Sequence, residues 1–343
     1  MIRLLLLLLA GISATAVQAQ PGEKPLFASN DVIRVTIAGP VSSIARSKSE
    51  QRQPGTLTVA GTNAALPITL EARGLTRRAS DVCQFPPLWV RFTSTPPPQS
   101  IFTGQKSLKL VTHCRSADSF QQYLLLEYAA YRMFNALSPA SFRVRLATID
   151  YVDTGGKPVA SRYGFFIEDL DDVAKRNGMR EAKLPSRIPT TALSPNHAAL
   201  YALFQHMVAN HDWSMRAGPA GDECCHNAKL IAPARGVAAG VIPIPYDFDF
   251  SGLVDAPYAA PPEQLRLSNV RQRKYRGYCQ HNGPVLAAAV QFRAKRPQIL
   301  AALTQTPGLQ QKTIRKASAY LDGFFADIAS NEAVQNMEKG CIG

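Results

Sequence analysis

Four oxygen-bearing side chains in the second half of the sequence lie at the ends of neighbouring predicted elements. Asp212 ends an amphipathic helix, Asn227 precedes a strand, and Asp247 and Asp249 close the next strand. Carboxylate and amide oxygens are the ligands that Mg²⁺ or Mn²⁺ prefers. Alternation along the strand places Asp247 and Asp249 on one face, with Phe248 towards the core. Each acid alone is typical of a cap or a turn, but together they indicate a metal site.

A single carboxylate interrupts the apolar face of a long helix predicted over residues 118–137. Glu127 shares that face, by helical spacing, with Phe120, Leu124, Tyr131 and Phe134. Because burying an unpaired carboxylate is costly, we expect a basic partner. Lys109 is the expected partner, since it points away from its apolar neighbours on the preceding strand. A structural ion pair or a surface glutamate is the alternative.

The elements that must position these residues follow from hydrophobic periodicity. Alternating apolar positions predict strands around residues 33–37, 57–59, 68–72, 88–92, 108–110, 142–146 and 163–167. Ser194 and Pro195 are typical of the N-cap and first position of a helix. A short strand pair is predicted at 229–231 and 241–248, and helices at 284–303 and 309–329. The pattern predicts a β-rich half with one helix, followed by a mainly helical half.

The composition is that of a globular protein of about two domains or one two-lobed domain. The chain has 343 residues, 46% of them hydrophobic and 18% charged, which excludes collagen, coiled coil and extended disorder. We expect a β-rich N-terminal lobe over 20–176, a linker or lobe boundary over 177–194, and a helical C-terminal lobe over 195–343. The C-terminal lobe carries the predicted strand pair with its acids.

The first 19 residues are typical of a secretory signal peptide. A basic start at Arg3, an apolar run over 4–10 and small residues before Ala19 predict export and cleavage near Ala19. We therefore expect a periplasmic or secreted protein without a transmembrane anchor after cleavage. In that compartment the six cysteines favour disulfides. Their pairing stays open, and a zinc site at Cys224 and Cys225 lacks a second cysteine pair.

The formal net charge of +13 is compatible with acidic or phosphorylated partners. Neither a zinc finger nor an interleaved basic–aromatic repeat is present in the sequence, so nucleic-acid binding is not expected. One local cluster contains Arg271, Arg273, Lys274 and Arg276. This cluster indicates either a surface for an acidic acceptor or a solvated basic loop.

The motifs, in order, resemble those of the spore-coat protein H (CotH-like) family of exported atypical protein kinases. The matching segments lie at 71–74, 108–110, 127, 163–171, 210–213, 226–227 and 246–250. The resemblance implies an α+β, protein-kinase-like fold with two lobes. It also implies that Lys109 contacts the phosphates of ATP and pairs with Glu127, while Arg73 helps to position the phosphates.

For the second half, the resemblance implies that Asp212 orients or deprotonates the acceptor hydroxyl. Asn227 and Asp247 would hold Mg²⁺ or Mn²⁺, with Asp249 as a further ligand. The expected function is an exported, ATP- and metal-dependent phosphotransferase acting on Ser or Thr of an acidic protein acceptor. The alternatives are a non-catalytic, kinase-like protein of the cell envelope that binds a nucleotide or a partner, and a metal-dependent hydrolase using the same acids.

Overall fold

The computed structural model describes residues 24–219 and 221–343, so the predicted signal peptide lies outside the described residues. Seven strands form the first sheet: β1 (Ile33–Ala38), β2 (Gln53–Val59), β3 (Ala65–Ala72), β4 (Leu88–Phe92), β5 (Ser107–Val111), β6 (Val144–Val152) and β7 (Pro158–Ile167). The observed strands confirm the positions predicted from apolar alternation. A period of two identifies a strand that has one buried face.

The first sheet closes into a barrel in the order β1-β2-β3-β4-β5-β7-β6. Closure depends on β1, which pairs antiparallel with β2 and parallel with β6, from Ile33 opposite Ala147 to Ala38 opposite Val152. The predicted two-lobed, protein-kinase-like fold, with a β-rich N-lobe and a mainly helical C-lobe, is therefore wrong. Apolar alternation predicts the strands but not which two edges join, and here the joining strands are far apart in sequence.

Eight α-helices accompany the barrel in the described part of the chain: α1 (Val41–Ser47), α2 (Asp118–Leu137), α3 (Leu170–Arg176), α4 (Pro195–Val208), α5 (Val285–Ala294), α6 (Arg296–Thr304), α7 (Gln311–Asp327) and α8 (Asn331–Glu338). A second sheet has the order β10-β9-β8, formed by β8 (Arg180–Glu181), β9 (Ala228–Ala232) and β10 (Ile242–Pro245). The predicted linker at 177–194 contributes β8 and buries Leu184 and Ile188.

Two hydrophobic cores divide the molecule. One fills the barrel with inward-facing side chains such as Leu70, Val90 and Leu108. The other joins α2, α4 and the C-terminal helices to the outer face of β6 and β7, with Phe165 among its members. Lys109 lies between two inward-facing leucines on β5, so its side chain is on the outer wall of the barrel, as the alternation predicted.

Three disulfides confirm the prediction that the cysteines are bridged: Cys83–Cys114, Cys224–Cys225 and Cys279–Cys341. The first joins the loop after β3 to the end of β5, and the third ties the C-terminal segment to the chain before α5. Bridged cysteines fit an oxidising compartment. None of the helices in the described residues has the length and apolar character needed to cross a bilayer.

Candidate active site

The open end of the β9–β10 hairpin carries two of the predicted ligands. Ala228 at the start of β9 pairs with Pro245 at the end of β10, so Asn227 and Asp247 leave the hairpin at the same end. Both adopt left-handed backbone conformations, with φ of 46° and 63° respectively. Asn and Asp tolerate this region better than other non-glycine residues. Because of this backbone conformation, the side chains of Asn227 and Asp247 do not follow the alternating directions of the adjoining strands.

Asp212, the predicted catalytic residue, is hydrogen-bonded to the residues that precede β9. The Asn227 Nδ2 donates to the backbone oxygen of Asp212 at 2.7 Å and to its Oδ2 at 3.0 Å. The His226 Nε2 donates to Asp212 Oδ1 at 2.6 Å. This hydrogen bond raises the pKa of His226. The predicted proximity of Asp212 and Asn227 is therefore observed, and His226 joins them as an unpredicted third member.

A fully buried asparagine fixes the distance between Asp212 and the hairpin. Asn210 Nδ2 donates to the backbone oxygen of Asp247 at 3.4 Å, while its Oδ1 accepts from the backbone nitrogen of Asp212 at 3.0 Å. The indole Nε1 of Trp213 donates to the Asn210 backbone oxygen at 2.9 Å. One amide thus holds the turn after α4 against the segment after β10, which brings the predicted acids to one place.

Three basic side chains face Tyr246 and Trp89 across the same region, and we call Arg73, Lys109 and Lys229 the cationic group. The Lys109 Nζ lies 4.8 Å from the ring centroid of Tyr246 and 5.6 Å from that of Trp89. The Lys229 Nζ lies 5.8 Å from the Tyr246 centroid. Arg73 donates a hydrogen bond to the Tyr246 hydroxyl. Barrel wall and hairpin therefore meet at Tyr246, the residue before Asp247.

The cationic group carries positive charge that no described carboxylate neutralises by direct contact. Burial, and then the neighbouring Arg73, lower the pKa of Lys109 to about 8. Burial, and then Lys109, lower the pKa of Lys229. Asp169, Glu181 and Asp247 oppose the shift at Lys109 from longer range. Mutual repulsion of this kind favours an anion at the centre of the group.

Glu127 has a different partner from the one predicted. Arg77 Nη1 lies 3.0 Å from Glu127 Oε2, its Nη2 lies 3.0 Å from Asp247 Oδ1, and its Nε lies 3.2 Å from Asp249 Oδ2. We call these four residues the Arg77 network. The predicted Lys109–Glu127 pair is not observed, because the guanidinium of Arg77 occupies the position beside Glu127 with a fork of donors that a lysine lacks.

Buried negative charge dominates the Arg77 network. Burial raises the pKa of Glu127 and raises that of Asp249 well above its ordinary value, although Arg77 opposes both shifts. Burial opposes the charge of Arg77, but Asp249 and then Glu127 hold its pKa well above the ordinary value. The Tyr258 hydroxyl donates to the Asp249 carboxylate, which supplies a further partner. Three carboxylates around one guanidinium thus form a closed, hydrogen-bonded unit.

The residues predicted to bind a metal differ in how free they are. Asp249 is committed to Arg77 and Tyr258, whereas Asp247 gives one oxygen to Arg77 and keeps its side chain 31% exposed. Asn227 uses its amide nitrogen on Asp212, which leaves its amide oxygen available. Within residues 24–219 and 221–343, no cluster of three or more histidine, cysteine or acidic side chains could hold a metal alone. Two oxygens fit Mg²⁺ only when substrate phosphates and water complete its ligands.

Most side chains of the basic cluster at residues 271–276 make contacts within the protein. Arg273 lies over the ring of Tyr320 at 3.9 Å from its centroid, and Arg276 lies 5.0 Å from the centroid of Trp213. Arg276 also donates to the backbone oxygen of His211, beside Asp212. These contacts hold the turn after α4 in place, so most of this cluster is not a free surface for an acceptor.

Arg77 and Lys229 are the functional candidates that sequence reasoning missed. Arg77 lies in a short 3-10 turn outside any periodic segment, so nothing in its spacing marks it as buried. Lys229 stands between Ala228 and Leu230, both buried, and this alternation was the available signal for a side chain facing the same way as Tyr246. No protein-family model matches the chain, and no curated protein matches it.

Proposed function

We propose that the protein is an exported phosphotransferase that moves the γ-phosphate of ATP to a Ser or Thr hydroxyl of a protein acceptor. One observation carries the proposal: the amine of Lys109 and the oxygens of Asp212, Asn227 and Asp247 belong to one continuous set of contacts around Tyr246. The disulfides support the exported location.

The cationic group would bind the phosphates. A nucleoside triphosphate carries several negative charges, and Lys109, Lys229 and Arg73 supply three positive charges without an ion-paired carboxylate among the described residues. Arg73 is fixed by its hydrogen bond to Tyr246, so little ordering accompanies binding. Charge-assisted hydrogen bonds from such groups to phosphate are among the stronger ones in proteins.

Asp247 and Asn227 would hold Mg²⁺ or Mn²⁺ together with the phosphates. Bound there, the metal would neutralise charge that develops on the transferred phosphoryl group. Asp249 has a different role in this proposal from the ligand that the sequence suggested. Through Arg77 it fixes the carboxylate of Asp247, since both acids contact the same guanidinium.

Asp212 would orient the acceptor hydroxyl and take its proton. The hydroxyl oxygen forms a bond to the γ-phosphorus, the bond from that phosphorus to the β-bridging oxygen breaks, and ADP leaves with the bonding pair. Both oxygens of Asp212 are held, one by His226 and one by Asn227, which fixes the direction of the carboxylate. The order of these residues resembles that of the CotH-like family, and this resemblance supports their roles without the two-lobed fold.

A second candidate is a non-catalytic protein of the cell envelope that binds a nucleotide or a partner. The occupied oxygens of Asp212 favour it, because a proton acceptor must give up one of these hydrogen bonds during transfer. The closed Arg77 network also removes two acids, Glu127 and Asp249, from direct contact with a ligand. In this candidate the cationic group binds the phosphates and no bond is broken.

The two candidates are separated by measuring transfer and binding on the same variants. The mature protein, without the predicted signal peptide, is incubated with labelled ATP, Mg²⁺ or Mn²⁺, and casein as acceptor. Nucleotide binding is measured separately by thermal shift. For the phosphotransferase, Asp212→Asn loses label transfer but keeps ATP-dependent stabilisation, whereas Lys109→Met weakens both. The exposed Asp222→Asn and Lys106→Met are matched controls that keep both. Stabilisation of the wild type without transfer supports the second candidate. The absence of both signals rejects the phosphotransferase and nucleotide binding by the second candidate.

A further inference from the structure

A cavity of about 340 Å³ opens where α2 and α7 begin. Its described lining includes none of the predicted site residues. Three basic side chains line it, Arg271, Lys312 and Lys316, together with the carboxylates of Asp118 and Asp255. A cavity of this size accommodates a small ligand or one side chain of a larger one. Of the basic cluster predicted from the sequence, Arg271 alone reaches this lining.

Arg271 is held in position before any ligand arrives. Its guanidinium carbon lies 4.4 Å from the ring centroid of Tyr320, and the hydroxyl of Tyr320 donates to the Arg271 backbone oxygen at 2.7 Å. Arg271 Nη1 also donates to the backbone oxygen of Gly252 at 3.3 Å. Contacts on several sides leave the Arg271 side chain little rotamer freedom. Little side-chain entropy is therefore lost when a ligand binds, which favours affinity.

The charges that line the cavity do not cancel. Asp255 Oδ2 accepts from both Arg271, at 3.3 Å, and Lys316, at 2.9 Å, so one carboxylate serves two cations. Lys312 forms no ion pair with any residue in the described part of the chain. Three cations and two carboxylates leave one formal positive charge. The N-termini of α2 and α7 add about half a charge each, so the lining matches a dianion.

The rest of the lining mixes apolar and polar side chains. Tyr123, Leu126 and Leu253 line the cavity beside the charged groups. Gln122 fixes the two helix starts relative to each other, because its Nε2 donates to the backbone oxygen of Gly308 at 3.0 Å and its Oε1 accepts from the backbone nitrogen of Gln310 at 2.9 Å.

We infer that this cavity binds a phosphate dianion, either inorganic phosphate or a phosphate monoester, with Arg271, Lys312 and Lys316 as its partners. At neutral pH a phosphate monoester carries a charge near −2 and three acceptor oxygens, which a single carboxylate does not provide. The phosphate takes contacts that Arg271 and Lys316 now make with Asp255. Its source is either free phosphate or a phosphorylated side chain of a peptide. The cavity is separate from the cleft at Tyr246, so the inference does not require phosphoryl transfer.

Calorimetry on the full-length mature protein tests this site with four probes: inorganic phosphate, O-phosphoserine, a short phosphoserine peptide and the same peptide without phosphate. The expected result is phosphate-dependent binding that Lys312→Glu weakens by about tenfold or more. Lys312 is exposed in the first turn of α7, where a glutamate favours the helix, so this variant keeps its fold. Asp255→Asn is expected to tighten binding, because it removes the competing carboxylate.

Controls locate the bound anion and its source. Lys339→Glu, on the exposed end of α8, is expected to leave the affinity unchanged. Lys109→Met weakens anion binding in the cleft, so the phosphate binding that remains in this variant belongs to the cavity. Equal affinity for inorganic phosphate and the phosphopeptide supports the cavity with free phosphate as its ligand, whereas tighter binding of the phosphopeptide supports a peptide source. The inference is overturned if the wild type shows no phosphate-dependent binding, if Lys312→Glu and Asp255→Asn leave it unchanged, or if only Lys109→Met abolishes it.

Discussion

The Arg77 network and the cationic group adjoin each other but have opposite charge imbalances. In the Arg77 network, three carboxylates surround one guanidinium, and burial raises the pKa values of Glu127 and Asp249. In the cationic group, Lys109, Lys229 and Arg73 share no ion-paired carboxylate in the described residues, and the lysine pKa values fall. The first arrangement is satisfied by its own contacts. The second is incomplete without an anion.

The difference separates a structural role from a binding role within one cleft. Buried ion pairs are costly to break, because the remaining partner stays desolvated. Repulsion within an unneutralised group of cations destabilises the folded state. A bound anion removes this repulsion and so stabilises the folded state. Asp247 belongs to the network and also influences Lys109 at longer range, so it connects the two regions.

The largest expected effect comes from breaking the network at its only cation. Arg77→Met leaves Glu127 and Asp249 buried without their partner and is expected to lower the free energy of unfolding by about 3–5 kcal/mol. Arg78→Met is the matched control, since Arg78 pairs with the exposed Glu50 and is expected to cost less than about 1 kcal/mol. Urea denaturation measures both.

The pH dependence of the Arg77→Met variant provides an internal check. Carboxylates whose folded pKa lies above the unfolded value stabilise the protein at low pH, and this contribution is lost as the pH rises through the folded pKa. The defect is therefore expected to be smaller at pH 5 than at pH 8. Equal losses for Arg77→Met and Arg78→Met, or a defect that grows on acidification, would show that the network is not a buried unit.

The second expected effect concerns the disulfide that links the segments carrying Arg77 and Lys109. Cys83–Cys114 joins the loop that follows Arg77 to the segment just after the strand that carries Lys109, and it closes a loop of sequence separation 31. The double variant Cys83→Ser/Cys114→Ser is expected to lose about 3–4 kcal/mol of stability. It is also expected to weaken ATP binding, whereas Cys279→Ser/Cys341→Ser, at the other end of the chain, affects stability alone. Denaturation and calorimetry measure the two effects, and unchanged ATP affinity in the first variant would separate the bridge from the cleft.

A smaller effect is expected in the cationic group. Lys109→Met is expected to weaken ATP binding by about tenfold, since it removes one charge-assisted contact to phosphate. Removing a charge from a repelling set does not harm the fold, so the thermal midpoint without ATP is expected to stay the same or rise. A large loss of stability in Lys109→Met would contradict the distinction between the two regions. Calorimetry and thermal unfolding report the two quantities separately.

The smallest expected effect is a titration of the same lysine. Because the pKa of Lys109 is about 8, the amine is charged below that pH and loses its charge above it. ATP affinity is therefore expected to fall by a few-fold between pH 7 and pH 9. Lys109→Arg keeps the charge over this range and is expected to flatten the profile. A wild-type affinity that stays constant to pH 9 would mean that Lys109 does not contact the phosphates.

Parts of this arrangement could be predicted from the sequence because they are local. Apolar alternation places Lys109 on the outer wall of the barrel, and the ends of the predicted elements bring Asp212 close to Asn227. The partner of Glu127 could not be predicted in this way. Burial requires a cation near Glu127, but the choice between Lys109 and Arg77 depends on a non-periodic turn that only the folded chain places beside α2.

The closure of the barrel could not be predicted from the sequence either, because it also depends on contacts between distant segments. Each strand follows from its own period of two, but the parallel pairing of β1 with β6 is a long-range contact with no sequence signature. Closure also fills the interior with packed side chains, so the chemistry lies on the outer wall. The cavity at α2 and α7 is likewise assembled from distant segments, of which the sequence marked only Arg271.

The left-handed backbone at Asn227 and Asp247 limits which residue types these positions accept. A residue with a bulky or β-branched side chain would strain the turn, so the tolerated replacements are mainly Asn, Asp, His and Gly. Apart from glycine, the replacements that either position tolerates still present a side-chain oxygen or nitrogen. Shape alone preserves a polar rim at the mouth of the hairpin, even in a descendant that no longer uses it for chemistry.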